Sequence, residues 1–221
     1  MTSLSSPPRA RRADRSQPAP DAIRSEIATR AHGEGRAAAA TGYAGRRGYR
    51  ERVRTVELLC APALDAAVRA AWDRLAATGL PSLARNTHPT NRPHLTLATV
   101  DAFPPGAAAR LADLFDAALP VPATVDRVAV LDGSAPLVWL VRPAPQLLAL
   151  HGAVWDVLAG APGPRPWHLP GRWIPHLSLA LRFGDADRRR ARAVVGADRP
   201  AGEFVAARSY DSATRTVRRF A

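Results

Sequence analysis

From residue 53 onward, the spacing of apolar and polar residues predicts short strands separated by amphipathic helices. Alternating apolar positions indicate strands, whereas apolar residues three and four apart indicate helices. Proline at the start and glycine after the end delimit the first helix. The predicted strands cover residues 54–60, 93–100, 123–131, 137–142, 174–182, 204–207 and 214–220, and the predicted helices cover 62–78, 105–119, 145–158 and 186–195.

The order of these elements repeats. In each half a helix is followed by a strand that contains a histidine, first in residues 93–100 and then in residues 174–182. Between the halves, a turn at residues 132–136 has the Asp-Gly chemistry of a β-hairpin. The sequence therefore predicts the α+β class, with two related lobes that each place one histidine strand on a sheet.

The two histidine strands contain nearly the same sequence, Pro-His-Leu-Thr-Leu at residues 93–97 and Pro-His-Leu-Ser-Leu at residues 175–179. Because side chains alternate along a strand, His94 and Thr96 share one face, as do His176 and Ser178, while the leucines face a core. One such histidine is usually structural, but two matching units favour catalysis. Facing each other across a cleft, they would supply an acid, a base and two hydroxyl donors for chemistry at a phosphate ester.

These motifs resemble those of the two-histidine (2H) phosphoesterase superfamily, and residues 53–221 resemble its bacterial RNA 2′,3′-cyclic phosphodiesterase branch, often labelled 2′-5′ RNA ligase. His94, Thr96, His176 and Ser178 carry the resemblance; Ser178 keeps the hydroxyl where the family also uses threonine. The resemblance implies a bilobal fold, with two related antiparallel-sheet-plus-helices lobes around a central cleft. It also implies metal-independent opening of RNA or nucleotide 2′,3′-cyclic phosphates to 2′-phosphates, with 2′-5′ ligation as the reverse reaction and no cofactor.

Histidine suits both proton transfers, because its unperturbed pKa of about 6.5 makes both protonation states available near neutrality. The symmetric motifs do not distinguish the acid from the base, and analogy with the family assigns His94 as the acid and His176 as the base. Thr96 and Ser178 would donate to the phosphoryl oxygens. Side chains beside the motifs are the candidates for substrate binding. Phosphate oxygens could be bound by Arg92, Arg172 and Arg182, and a nucleobase could stack on the ring of Trp173.

The composition adds charge but little specificity. The formal net charge is +12, and every basic residue is arginine, which a GC-rich coding sequence would also produce. A positive field would attract RNA ends or nucleotides that carry a 2′,3′-cyclic phosphate. The single cysteine excludes an internal disulfide, and no apolar run reaches the length of a membrane span. We therefore expect a cytoplasmic, monomeric protein without a membrane partner.

Residues 1–52 are rich in Ser, Pro, Ala, Gly and Arg and lack periodicity, which predicts a disordered leader before a domain at 53–221. The leader could be a basic RNA-contacting tail, a cleavable targeting peptide, or translated DNA upstream of a start near residue 53. For the domain, two alternatives stay open: a hydrolase of another small cyclic phosphate, of the ADP-ribose type, and a non-catalytic RNA-binding module. No zinc-ligand spacing or phosphate-loop motif is present in the sequence.

Overall fold

The computed structural model describes residues 52–132, 135–196 and 198–220, apart from the side chain of Asp185. The predicted leader therefore lies, except for Arg52, outside the described residues. In chain order the elements are β1 (Arg54–Cys60), α1 (Pro62–Ala77), β2 (His94–Val100), α2 (Ala107–Ala118), β3 (Val121–Val130), β4 (Leu137–Val141), α3 (Pro145–Val157), β5 (His176–Ala180), α4 (Arg188–Val195), β6 (Ala201–Asp211) and β7 (Thr216–Arg219). Short 3-10 turns occur at Leu83–Arg85, Pro166–His168 and Asp185–Asp187.

Each predicted strand and helix is present, and the α+β class is confirmed. The largest boundary difference is in β6, which was predicted as residues 204–207 and extends over Ala201–Asp211. The extension includes Arg208, Ser209 and Asp211, which are buried although they are polar. An apolar pattern cannot predict such residues, because their burial depends on partners from other strands.

The strands pair only in the antiparallel direction, in the order β2-β1-β6-β3-β4-β5, with β7 beside β6. β3 joins the two halves, since residues 121–124 pair with β6 and residues 125–130 extend along β4. The strands that carry the histidine motifs, β2 and β5, are the two ends of this path. Each of them therefore has one side without a ladder partner among the described residues.

The helices cover the sheet and connect its halves through one hydrophobic core. In α1, the buried Leu64, Val68, Ala71 and Leu75 recur every three or four residues, which is the spacing of a single helix face. α1, which belongs to the first half, contacts β5 of the second half, while α3 contacts β2 of the first half. This exchange holds the two motif strands against each other. Among the described helices, none has the length and apolar character needed to cross a membrane.

Candidate active site

The two motif strands show the predicted alternation of buried and accessible side chains. In β2, His94 and Thr96 are half-buried, whereas Leu95 and Leu97 are completely buried. β5 repeats this pattern, with His176 and Ser178 half-buried and its leucines inside the core. In both strands the leucines anchor the backbone, so that a histidine and a hydroxyl are presented on the other face.

The fold brings these two units into one site. β2 and β5 contact each other at the open ends of the strand path. The charge of His94 contributes to lowering the pKa of His176, so the two histidines interact electrostatically. The structure thus brings together the four predicted catalytic side chains, although the two motifs are about 80 residues apart in the chain.

Both histidine rings are fixed in the same orientation. The Nδ1 atom of His94 lies 2.7 Å from the carbonyl oxygen of Arg92, and that of His176 lies 2.7 Å from the carbonyl oxygen of Ile174. Because a carbonyl oxygen can only accept, each Nδ1 carries a hydrogen and donates it. In the neutral ring, Nε2 then keeps the free electron pair. Each ring can therefore accept or deliver a proton at Nε2.

Two tryptophans donate hydrogen bonds to the motif strands on the sides where no described strand pairs with them. Trp72 of α1 donates from Nε1 to the carbonyl oxygen of Ser178, at 2.9 Å. Trp173, in the segment before β5, donates from Nε1 to the carbonyl oxygen of Thr96, also at 2.9 Å. The backbone carbonyl groups of Thr96 and Ser178 thus each accept a hydrogen bond from the opposite half of the fold, which restrains the position of each motif strand relative to the other half.

A buried ion pair lies beside His94. Glu57 of β1 is 3 % exposed and Arg208 of β6 is 5 % exposed, and Arg208 Nε donates to Glu57 Oε2 at 2.7 Å. The other carboxylate oxygen, Oε1, accepts from Thr55 Oγ1 at 2.6 Å and lies 3.7 Å from His94 Nε2. Burial acts to raise the pKa of the Glu57 carboxyl, but the charges of His94 and Arg208 outweigh it and hold this pKa below its usual value.

His176 has a different environment. Burial lowers its pKa, and the nearby charge of His94 lowers it further, against the hydrogen bond to Ile174. Beside it, burial and the neighbouring His176 and His151 lower the pKa of His168 to about 4. His168 Nδ1 is buried and, among the described residues, has no hydrogen-bond partner. Both rings are therefore biased towards the neutral form at neutral pH.

Comparison with known proteins places the chain in a family. The family model of the 2′-5′ RNA ligase superfamily matches residues 62–209, which is about two thirds of the chain. The chain belongs to this superfamily. The match includes both motif strands and extends to β6, and it confirms the resemblance to 2H phosphoesterases. A search of curated proteins found no match.

Several solved structures are similar to this chain in fold but have low sequence identity to it. A protein described as a phosphoesterase is 19 % identical over 76 % of this chain and 94 % of its own, with a TM-score of 0.47. LigT of E. coli, in complex with NADP+, is 17 % identical over 76 % and 93 % of the two chains, with a TM-score of 0.45. Usb1 of Kluyveromyces marxianus is 12 % identical over 77 % and 98 %, with a TM-score of 0.42.

The predicted substrate-binding side chains of this superfamily member differ in how they are held. Arg92, Arg172 and Arg182 are all exposed, and the Nη2 atom of Arg92 lies 3.6 Å from Asp65 Oδ1. The ring of Trp173 is stacked on that of His151, with centroids 4.0 Å apart and planes 4° from parallel. One face of this ring is therefore occupied by the protein itself. The described residues contain no group of three His, Cys, Asp or Glu side chains arranged to hold a metal ion.

A basic groove lies in the second half of the superfamily fold, between β3 and α4. Its volume is about 670 Å³, and four arginines line it: Arg127, Arg188, Arg192 and Arg199. Arg127 pairs across the ladder with Leu140, which in turn pairs with His176. At the usual spacing of neighbouring strands, this register places the Cα atoms of Arg127 and His176 roughly 10 Å apart. Arg127, one of the residues that line the groove, thus lies two strands away from the second histidine.

Glu57, Arg208 and Trp72 also belong to the candidate site, although the sequence pattern did not predict them. Glu57 stands alone as a charge within the apolar run of β1, and Arg208 follows an apolar run in β6. Two opposite charges in strands that are otherwise buried are a sign of a buried pair, since a lone charge in a core is costly. Trp72 gave no such sign, because its position fits the apolar face of α1.

Proposed function

We propose that this chain is a phosphodiesterase that opens 2′,3′-cyclic phosphates on RNA ends or nucleotides and leaves a 2′-phosphate. The observation that carries the proposal is the matched pair of motif strands, in which each histidine donates from Nδ1 to a backbone carbonyl and has its Nε2 available for proton transfer. Membership of the superfamily supports an activity of the phosphodiesterase or ligase type.

In the proposed reaction, His176 Nε2 takes a proton from water while the water oxygen attacks phosphorus. The bond between phosphorus and the 3′ oxygen breaks, and His94 Nε2 delivers a proton to that oxygen. The hydroxyl groups of Thr96 and Ser178 donate to the phosphoryl oxygens, where negative charge accumulates in the transition state. Each turnover consumes one water, and the proton gained by His176 balances the one lost by His94. In reverse, the 3′ hydroxyl would attack phosphorus and give its proton to His94, while His176 returns a proton to the departing water. A 5′ hydroxyl in place of the attacking water would form a 2′-5′ linkage instead.

The lowered pKa of His176 supports its assignment as the base, since a general base must be neutral before it accepts a proton. The carboxylate of Glu57, 3.7 Å from His94 Nε2, supports the assignment of His94 as the acid, because a protonated ring is attracted to a negative charge. No cofactor enters this scheme. The monomeric state and the cytoplasmic location stay predictions from the sequence.

The test is hydrolysis of the four nucleoside 2′,3′-cyclic monophosphates and of a short RNA ending in a cyclic phosphate, all in the presence of EDTA. We expect a 2′-phosphate product and a loss of about 100-fold or more in His94→Ala and in His176→Ala. His88→Ala is the matched control, because this ring bonds Thr90 in a loop and takes no part in the scheme.

Two outcomes would favour the alternatives. Turnover of an ADP-ribose cyclic phosphate, with none of the nucleotides or the RNA hydrolysed, would indicate another small cyclic phosphate as the substrate. Tight binding of RNA without turnover, unchanged in both alanine variants, would indicate a recognition module. Turnover that disappears with EDTA and returns with a divalent metal ion would contradict the proposed acid–base scheme.

A further inference from the structure

The two halves of the site match in backbone but differ in one charge. In β2, the ladder to β1 pairs Thr96 with Glu57 and then omits Leu97 before it continues at Ala98. In β5, the ladder to β4 pairs Ser178 with Val138 and then omits Leu179 before it continues at Ala180. Each motif thus has a bulge at the same point. Glu57 and Val138 occupy equivalent positions beside the two hydroxyl residues.

Cross-strand partners point to the same face of a sheet, and diagonal neighbours two residues away are within reach of long side chains. Glu57 is the direct partner of Thr96 and the diagonal neighbour of His94, and its Oε1 lies 3.7 Å from His94 Nε2. At the equivalent place beside His176, Val138 offers no charge. The first histidine therefore has a carboxylate at its reactive nitrogen, while the second has an apolar neighbour.

The protein holds this carboxylate at a cost. Burying two charges removes them from water, and an apolar pair of similar size is commonly as stable or more stable. Val138 shows that the fold accepts an apolar side chain at the equivalent position of the other half. The Glu57–Arg208 pair is therefore poorly explained as a stabilising element alone. Its placement against the reactive atom of one histidine suggests a role in the reaction.

The other groups around His94 do not replace this interaction. Arg208 faces Glu57 from β6 and keeps it ionised, and Thr55 of β1 donates to the carboxylate oxygen that is nearest to His94. His176 faces His94 from β5, and its charge, when present, would repel a proton on His94. Of these groups, Glu57 is the one that attracts a proton to His94.

We propose that Glu57 is a positioning residue for His94: its carboxylate, 3.7 Å from Nε2, orients the ring and stabilises its protonated form, a contact that His176 lacks because Val138 stands at the equivalent position. This inference rests on the proposed function for the reaction itself, but the charge pairing exists in the free protein. In the proton transfer, Glu57 gains and loses nothing; it makes the protonated state of His94 available before substrate binds and steadies the ring during transfer.

The test uses Glu57→Gln, which keeps the shape and removes the charge, and Glu203→Gln, the same substitution at an exposed residue of β6, as the matched control. Titration of the histidine rings by NMR without substrate is measured beside the pH dependence of kcat. In Glu57→Gln we expect His94 to lose its proton at lower pH than in the wild type, because the opposite charge 3.7 Å from Nε2 has been removed. The alkaline limb of kcat, which reports the acid, moves with it, and the acidic limb stays.

Control and rescue sharpen the result. Glu203→Gln should leave both limbs unchanged, and Glu57→Asp, which restores the charge on a shorter side chain, should move the alkaline limb back towards that of the wild type. Because Glu57→Gln leaves Arg208 buried without its partner, a second variant, Glu57→Gln with Arg208→Met, removes both charges and should shift the His94 titration in the same direction. If the single variant does not fold, this double variant carries the test.

Three results would overturn the inference. Movement of the acidic limb would mean that His94 is the base. Unchanged limbs and an unchanged His94 titration in a folded variant would show that Glu57 has only a structural role. An equal shift in Glu203→Gln would indicate a general charge effect. Absence of turnover in the wild type would instead contradict the proposed function, while the NMR titration would still test the pairing.

Discussion

Trp173→Phe is expected to weaken the first motif strand without removing a catalytic side chain. The indole Nε1 donates to the carbonyl oxygen of Thr96 at 2.9 Å, on the side of β2 where none of the described strands pairs with it. Phenylalanine keeps an aromatic ring that can stack on His151 but cannot donate. A partly buried carbonyl that loses its donor costs about 1–2 kcal/mol.

Loss of the Trp173 hydrogen bond should lower both the melting temperature and kcat. For a domain of this size, 1 kcal/mol corresponds to about 2–4 °C in Tm, so we expect Tm to fall by roughly 2–8 °C. Loss of the bond also lets Thr96 move relative to phosphorus, and a displacement of about 1 Å can cost on the order of 100-fold in rate. We expect a decrease in kcat of about tenfold or more, since the strand keeps its bonds to β1.

The assay compares thermal unfolding by circular dichroism with turnover of a cyclic phosphate. Trp72→Phe tests the equivalent bond to Ser178, and its Tm should fall further because Trp72 is also buried in the core. Trp167→Phe is the control, as this side chain is 61 % exposed. If Trp173→Phe matched both the wild type and Trp167→Phe in Tm and kcat, the proposed support of the strand by the indole would be refuted.

Three further predictions concern pH, the buried pair and the basic groove. The pKa of His168 is lowered to about 4, so between pH 6.5 and 4 the unfolded chain binds a proton at this residue that the folded protein does not, and the free energy of unfolding should fall by up to about 3 kcal/mol as the pH decreases. His168→Phe should make the urea midpoint less dependent on pH over this range, whereas identical pH profiles for the variant and the wild type would contradict the prediction. In a double-mutant cycle, Glu57→Leu or Arg208→Met alone should each lower the unfolding free energy by about 3–5 kcal/mol and the pair by much less than the sum, while additive losses would speak against a coupled pair. Arg188→Glu with Arg192→Glu should raise KM for an RNA oligomer about tenfold at low salt and less at high salt, with KM for a cyclic mononucleotide unchanged; equal effects on both substrates would show that the groove does not bind RNA.

The sequence predicted most reliably what depends on local pattern. Alternation in the motif strands predicted which of His94, Leu95 and Thr96 would be buried, and the paired motifs predicted the family. What escaped prediction depends on distant pairing: Glu57 and Arg208 are 151 residues apart and become partners only when β1 lies beside β6. Trp173 was predicted as a surface for a base, but its packing on His151 and its bond to Thr96 could not be read from its neighbours in the chain.

The order of strands in the sheet also determines when the site is completed during synthesis. β3, β4 and β5 follow one another along the chain and form the His176 half through local pairing, whereas β1 waits for β6. Contacts between distant segments form more slowly than local ones, and a nascent chain emerges from its N-terminal end. We therefore expect the His176 side of the candidate site to be structured on the ribosome while Glu57 still lacks Arg208. The charged pair beside His94 would form last, because it requires β6, a strand that carries neither motif.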